Sequence, residues 1–437
     1  MRVFLPALSA LLLSVAASAA PPKVVRALPN NADIQIDPNL KSITIEFDQD
    51  MDQRGRSICG GGPMFPKLAG EIAWTDARTI VIPVKLGAGK TYSLSINCPA
   101  ARNFRSLAGD AAEIYPISFT TSKDGEEVIQ VTENAAKASL AALRKAIDER
   151  YSYRDLRGVD WDDVFKRVGP ELEAARTPGA IGRAAVRLLE PAKDMHILVR
   201  VGSLILSTHR PAVRANVDTT AMRNLVRDWK QVNPHVATGT YDGIPYLWIA
   251  DWVGAAKDYE PAVEFIRASA AAPAMIIDVR LNSGGDEIVA RSVAGPFVVG
   301  PKAVYSKNKS RDPASPDGWT EVFNREVESV KGERPFPGKV AVLMGKGCMS
   351  SNESFLLMMR HSGSAVKLIG ETSFGSSGNP RPVDLGCGVR VVVPTWYDML
   401  PDGAALENRG IAPDIVVEWK SGPSDPVLEA AAKALNE

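Results

Sequence analysis

Three periodicities follow one another along the chain. In residues 22–121 polar and apolar positions alternate in short runs, at 43–47, 91–96 and 117–121, with 79–84 also strand-like, and Pro, Gly, Asn and Asp separate them. Alternation with period two lets a strand bury one face, so this region predicts a small β-sandwich. After a charged linker at 122–127 the period lengthens. Leu140, Leu143 and Ile147 share one helical face, as do Trp161, Val164, Phe165 and Val168. Thr177 followed by Pro178 reads as a cap and first-turn proline of a third helix ending near Leu189. The spacing predicts a helical subdomain over 126–192.

From residue 193 onward, apolar runs alternate with helical segments. Residues 194–199 read as a strand carrying Asp194 and His196, and a polar, poorly patterned stretch follows to about Gly239. Residues 244–249 and 274–279 read as strands, the second of the length of a buried parallel strand. A glycine-bearing loop with Gly284 and Gly285 comes next, then a helix to about Phe297, a Pro/Ser/Lys-rich excursion at 301–338, and a strand at 340–344. That strand feeds a turn with Gly345, Gly347, Ser350 and Ser351, then a helix carrying Phe355, Leu356, Met358 and Met359, and a further strand at 365–369. Such alternation implies right-handed crossovers and a largely parallel sheet, so 193–437 is an α/β domain. Sites in parallel sheets lie beyond the carboxyl ends of the strands, which brings the double-glycine loop to Ser350.

Ser350 stands where a strand becomes a helix. Either it caps that helix, or it is a nucleophile placed at the positive end of the helix dipole. In the second case an N–H from Gly284 or Gly285 and the N–H of Ser351 form a two-donor oxyanion hole. A histidine base must come from His196, His209, His235 or His361, since there are four histidines.

Charge narrows the partners. The 437 residues carry 51 Lys plus Arg against 51 Asp plus Glu, which gives no basic surplus for nucleic acid. Residues 1–19 read as a signal peptide, with Arg2, an apolar stretch and Ala17-Ser18-Ala19 as the cleavage site. No later run reaches the length of a membrane helix. A periplasmic or secreted protein is expected. Export permits disulfides, and four cysteines allow three pairings; position in the chain groups Cys59 with Cys98 and Cys348 with Cys387, a pair that would brace the serine turn. Their spacing is not metal-like, and no metal or organic cofactor is expected.

The motifs then carry a family. Residues 278–285 (DVRLNSGG), 350–353 (SSNE), 370–375 (GETSFG) and 410–415 (GIAPDI) resemble, in order, those of the tail-specific, or carboxy-terminal processing, serine proteases. The resemblance spans roughly residues 126–420 and implies a crotonase-like spiral core, Ser350 as nucleophile and an oxyanion donor in the glycine loop. Ser376 stands where the tail-specific branch places its lysine base, so either the base comes from elsewhere or the chain is inactive. The tricorn-core branch uses histidine and glutamate instead. His196 and Glu407 resemble those residues, with Asp194 on the same strand face orienting the ring. Residues 43–52 together with 119–121 are similar to bacterial Ig-like domains, which implies a spacer or a module for a cell-envelope partner.

The expectation is therefore a multidomain secreted serine endopeptidase acting on peptides or unfolded protein. It has an Ig-like domain at 22–121, a helical subdomain at 126–192 and a protease-like domain at 193–437, and forms an acyl-enzyme on Ser350 with His196 as general base. The rival is a catalytically inactive ligand- or peptide-binding protein on the same fold.

Overall fold

The computed structural model describes residues 20–437; the signal-peptide reading of 1–19 lies outside them. Two compact units emerge. The first holds the described residues through Val131 with Arg176–Arg183 and Val201–Leu204, and the second holds Thr132–Ala175, Ala184–Arg200 and Ile205–Glu437.

In the first unit two antiparallel sheets share one apolar core. One runs in the order Val24–Leu28, Ser42–Phe47, Thr79–Lys85, Lys67–Leu68, and the other is Ile58–Cys59, Thr91–Ile96, Tyr115–Thr120. Period-two alternation decides which residues face inward: Ile43, Ile45 and Phe47 meet Leu94, Ile96, Ile117 and Phe119. Each such side chain contributes about 1.5–3 kcal/mol by leaving water. Cys59 and Cys98 form a disulfide.

The second unit is built on a seven-stranded sheet, ordered Arg227–Gln231, Val236–Tyr241, Ile244–Ile249, Ala274–Asp278, Lys339–Met344, Val366–Gly370, Ile415–Val416. Its last five strands are parallel. Lys339–Met344 lies at the centre and is covered on both faces. Val340, Val342 and Met344 pack under Phe355 and Val293, while Ala341 and Leu343 pack under Val427, Leu428 and Ala431 of the helix Pro426–Asn436. Burial on both sides explains why this strand reads as one unbroken apolar run. Register pairs Asp278 with Leu343 and Met344 with Gly370. The loops after three neighbouring strands therefore leave the sheet at one level.

Helices Glu133–Glu149 and Trp161–Glu173 are capped by Thr132 and Asp160, whose side chains accept first-turn N–H groups. The excursion at 301–338 is not irregular: Lys302–Ser310 pairs with Phe323–Glu328, and Trp396–Met399 completes a three-stranded sheet. Its pattern was masked by cross-strand charges such as Lys302 with Glu326. The expected strand at 194–199 is a second correction. Regular strand runs over Leu198–Val201, and the Asp194 carboxylate accepts the His196 N–H at 2.8 Å, closing a turn behind Lys193 at φ 48°. Asp194 and His196 share no strand face.

The second expected disulfide does not form, and Cys348 and Cys387 are free. Cys348 lies buried beneath the serine turn, donating to the Val279 carbonyl at 3.3 Å and accepting from the Gly345 N–H. Cys387 sits at the turn joining Pro380–Gly386 to Val389–Pro394, at φ 51°. Burial pushes the Cys348 thiol up to about 12, which also excludes it as a nucleophile near neutral pH. Among the described residues no helix is long and apolar enough to cross a membrane.

Candidate functional site around Ser350

Three loops meet at the carboxyl edge of the parallel strands. The first carries Ser350, held at φ 53°, ψ −128° before the helix Ser351–His361. A non-glycine residue at positive φ costs of order 1–3 kcal/mol and persists only where its surroundings fix it. Here they do. The Ser350 N–H donates to the Ser376 carbonyl at 2.9 Å, and the Ser350 carbonyl accepts from the Glu353 N–H at 2.8 Å. The Ser350 side chain accepts no capping hydrogen bond from the helix, so the simple capping role is unfilled.

The second loop is the double glycine. Gly284 has φ 104°, and a Cβ there would lie 2.8 Å from Ser350 Cβ. Gly285, at φ 143°, backs onto Trp252, whose carbonyl a Cβ would meet at 2.3 Å. Only glycine brings the backbone this close. Gly284 spends its N–H on Asn282 Oδ1 at 2.9 Å. The N–H groups of Gly285 and Ser351 donate to no group among the described residues, while Ser351 Oγ donates to the Gly285 carbonyl at 2.6 Å. Asn352 staples loop to helix, donating to the carbonyls of Val279 and Asn282 and accepting from Trp252 Nε1.

Residues 373–377 form the third loop, fastened by two buried carboxylates. Glu353 accepts from Ser373 Oγ at 2.5 Å and from the N–H groups of Gly375 and Ser376 at 2.8 Å. Burial pushes its carboxyl up to about 7 against the pull of those donors. Glu407 accepts the Ser377 N–H at 2.8 Å. A cavity of about 690 Å³ opens before Ser350 and Ser351, walled by Gly285, Ser377, Trp396 and Asp398. Arg325 crosses its floor, paired with Glu287 and, at 2.9 Å, with Asp398. Neither Arg325 nor Asp398 stands in a motif, so sequence reasoning passed over both.

His196 and Glu407 are placed otherwise than expected. The His196 ring makes no hydrogen bond to Ser350 or to a carboxylate, and its Nδ1 is buried without a partner. Burial lowers its pKa, against the charges of Asp194 and Asp398. Asp194 does not orient the ring, because its oxygens are taken by the His196 backbone N–H, by Tyr151 Oη at 2.9 Å and by Arg157. Glu407 pairs with Arg157 in the interior rather than with neighbouring Arg409.

Fold and loops together define an α/β protein with a serine presented at a strained strand-to-helix turn. Residues 243–417 match the model of peptidase family S41. The carboxy-terminal processing protease CtpA of Bacillus subtilis is 27% identical over 180 residues, 40% of this chain and 35% of that protein, so the match spans about a third of that relative. A structure classed as a peptidase from Parabacteroides merdae aligns with TM-score 0.58 at 20% identity, covering 69% of this chain and 96% of that one. The photosystem II D1 C-terminal processing protease aligns over 70% of this chain and 98% of its own at 15% identity and TM-score 0.45. Over residues 243–417 the chain is thus similar to the tail-specific, or carboxy-terminal processing, serine-type peptidases.

This similarity corrects the expected chemistry: the peptidases it points to work through a serine–lysine dyad, which overturns the expected acyl-enzyme mechanism with His196 as general base. Ser376 is buried, and its Oγ has no partner among the described residues.

Proposed function

We propose that the chain is an exported serine-type peptidase acting on peptide or unfolded-protein substrates, with Ser350 as the nucleophile. The observation that carries this reading is the strained backbone of Ser350, set beside two N–H groups, of Gly285 and Ser351, that are spent on no acceptor among the described residues. Donors fixed in advance at a developing oxyanion are typically worth about 3 kcal/mol each. The Gly284 N–H, bound to Asn282, is not one of them. Treatment with a fluorophosphonate, followed by intact-mass measurement and peptide mapping, tests the proposal. One adduct on Ser350, absent from Ser350→Ala, together with cleavage of an unfolded protein, is expected. Labelling elsewhere, or none at any pH, refutes it.

The serine at position 376 favours one rival, a binding protein on a peptidase frame. An inert parent chain that becomes labelled once Ser376→Lys supplies an amine would establish that rival. In the same proposal the two-sheet unit is an Ig-like spacer or docking module for a cell-envelope partner, and the α/β core is a crotonase-like spiral. The shared core of the two sheets and the run of parallel strands support these assignments. Export rests on the reading of residues 1–19, and the Cys59–Cys98 disulfide fits an oxidising compartment.

A further inference from the structure

Arg157 belongs to none of the motifs, yet two loops, one carrying Asp194 and one carrying Glu407 and Asn408, close on its guanidinium. Its side chain is 9% exposed and pairs with Glu407 and, at 3.4 Å, with Asp194. It also donates to Asn408 Oδ1 at 2.8 Å. Glu407 in turn holds the Ser377 N–H, and the preceding residue, Ser376, receives the Ser350 N–H on its carbonyl. A continuous line of bonds thus runs from Arg157 through Glu407 and residues 376–377 to the backbone of Ser350.

We propose that Arg157 is a positioning residue: its ion pair holds the Glu407 carboxylate on the Ser377 N–H and so fixes residues 376–377 against the Ser350 turn. The inference rests on Ser350 being the nucleophile. A hydrogen bond to an ionised acceptor is roughly twice as strong as a neutral one. Burial holds the Glu407 carboxyl well above the ordinary carboxylate range, the charge of Asp194 pushes the same way, and Arg157 and the Ser377 N–H oppose that rise without cancelling it. Glu353 adds a smaller push. The other titratable groups facing this cluster are Tyr151 and Tyr153, both held neutral chiefly by burial, and His196, which feels the charges of Asp194 and Arg157, with Lys193 and His209 on the wall of the adjoining cavity. Arg157 is therefore the cation that offsets two buried acids.

The test compares Arg157→Met, Arg157→Lys and the double variant Arg157→Met/Glu407→Gln, each shown to be folded by near-UV circular dichroism. Ser350 labelling rates are measured from pH 5 to 10. With the cation gone, the acidic limb of the Met variant should move up by a unit or more. Labelling at neutral pH then falls about tenfold per unit and recovers in alkali. The Lys variant should keep the parent profile. In the double variant a neutral amide accepts the Ser377 N–H without a counter-charge, so rate should return and the limb flatten. Exchange of the Ser377 amide hydrogen supplies a second readout, faster in Arg157→Met and restored in the double variant. A folded Met variant with the parent's limb and exchange overturns the inference, as does a loss that neither alkali nor Glu407→Gln restores. A parent chain that is never labelled would refute the Ser350 reading instead, and the exchange measurement would then decide the role of Arg157 alone.

Discussion

Gly284→Ala tests the oxyanion geometry at its tightest point. The new methyl would sit 2.8 Å from Ser350 Cβ and 2.9 Å from the Met349 carbonyl, on a residue at φ 104°. Carbon contacts are comfortable near 3.5 Å, so loop and turn must part by about 0.7 Å. Displacement by about 1 Å from reacting geometry can cost about 100-fold, and loss of one oxyanion donor costs about 10²–10³. We expect Ser350 labelling to slow about 100-fold, equivalent to about 2.7 kcal/mol. Backbone strain adds about 1–3 kcal/mol of destabilisation. Gly318→Ala is the control, since Gly318 has φ 75° but nothing within 4 Å of the position a Cβ would take. Both variants should lose stability in urea unfolding; only Gly284→Ala should lose labelling. A Gly284→Ala protein labelled within threefold of the parent would refute the assigned site geometry.

Two further outcomes follow from the interior. Replacing Cys59 and Cys98 by Ala opens a loop spanning 39 residues and should cost the first unit about 4 kcal/mol, seen as faster amide exchange confined to that unit. Glu353 has its folded pKa raised from 4.5 to about 7, so the stability linked to its protonation is full below about pH 4.5 and is lost as pH rises through about 7. That difference amounts to about 3 kcal/mol. Unfolding free energies measured from pH 4 to 8 should show this decline in the parent and not in Glu353→Gln; parallel curves would contradict it.

The central strands were legible because burial on both faces leaves no polar position to confuse the pattern. The meeting of the glycine loop with Ser350 followed from where parallel strands end. What could not be read was long-range pairing. Glu407 had Arg409 two residues away in sequence, yet its partner is Arg157, 250 residues distant. Asp194-x-His196 looked like a strand face until the Asp194 carboxylate turned the backbone back on itself. Cys348 and Cys387 resembled the first cysteine pair in spacing alone. Charged alternation hid the strands at 302–310 and 323–328, because their inward residues, such as Tyr305 and Val327, are few.

The buried Arg280 opens the stretch that leads into the double glycine. Its guanidinium lies between Asp278 and Asp425, and Asp425 also caps the helix Pro426–Asn436. The two ends of that ion network are 145 residues apart. The glycine loop is thus anchored by an acid and a helix that lie far beyond it in the chain. An unanchored loop cannot hold its amides in place, so the loop is fixed only once residue 425 and the helix behind it have docked.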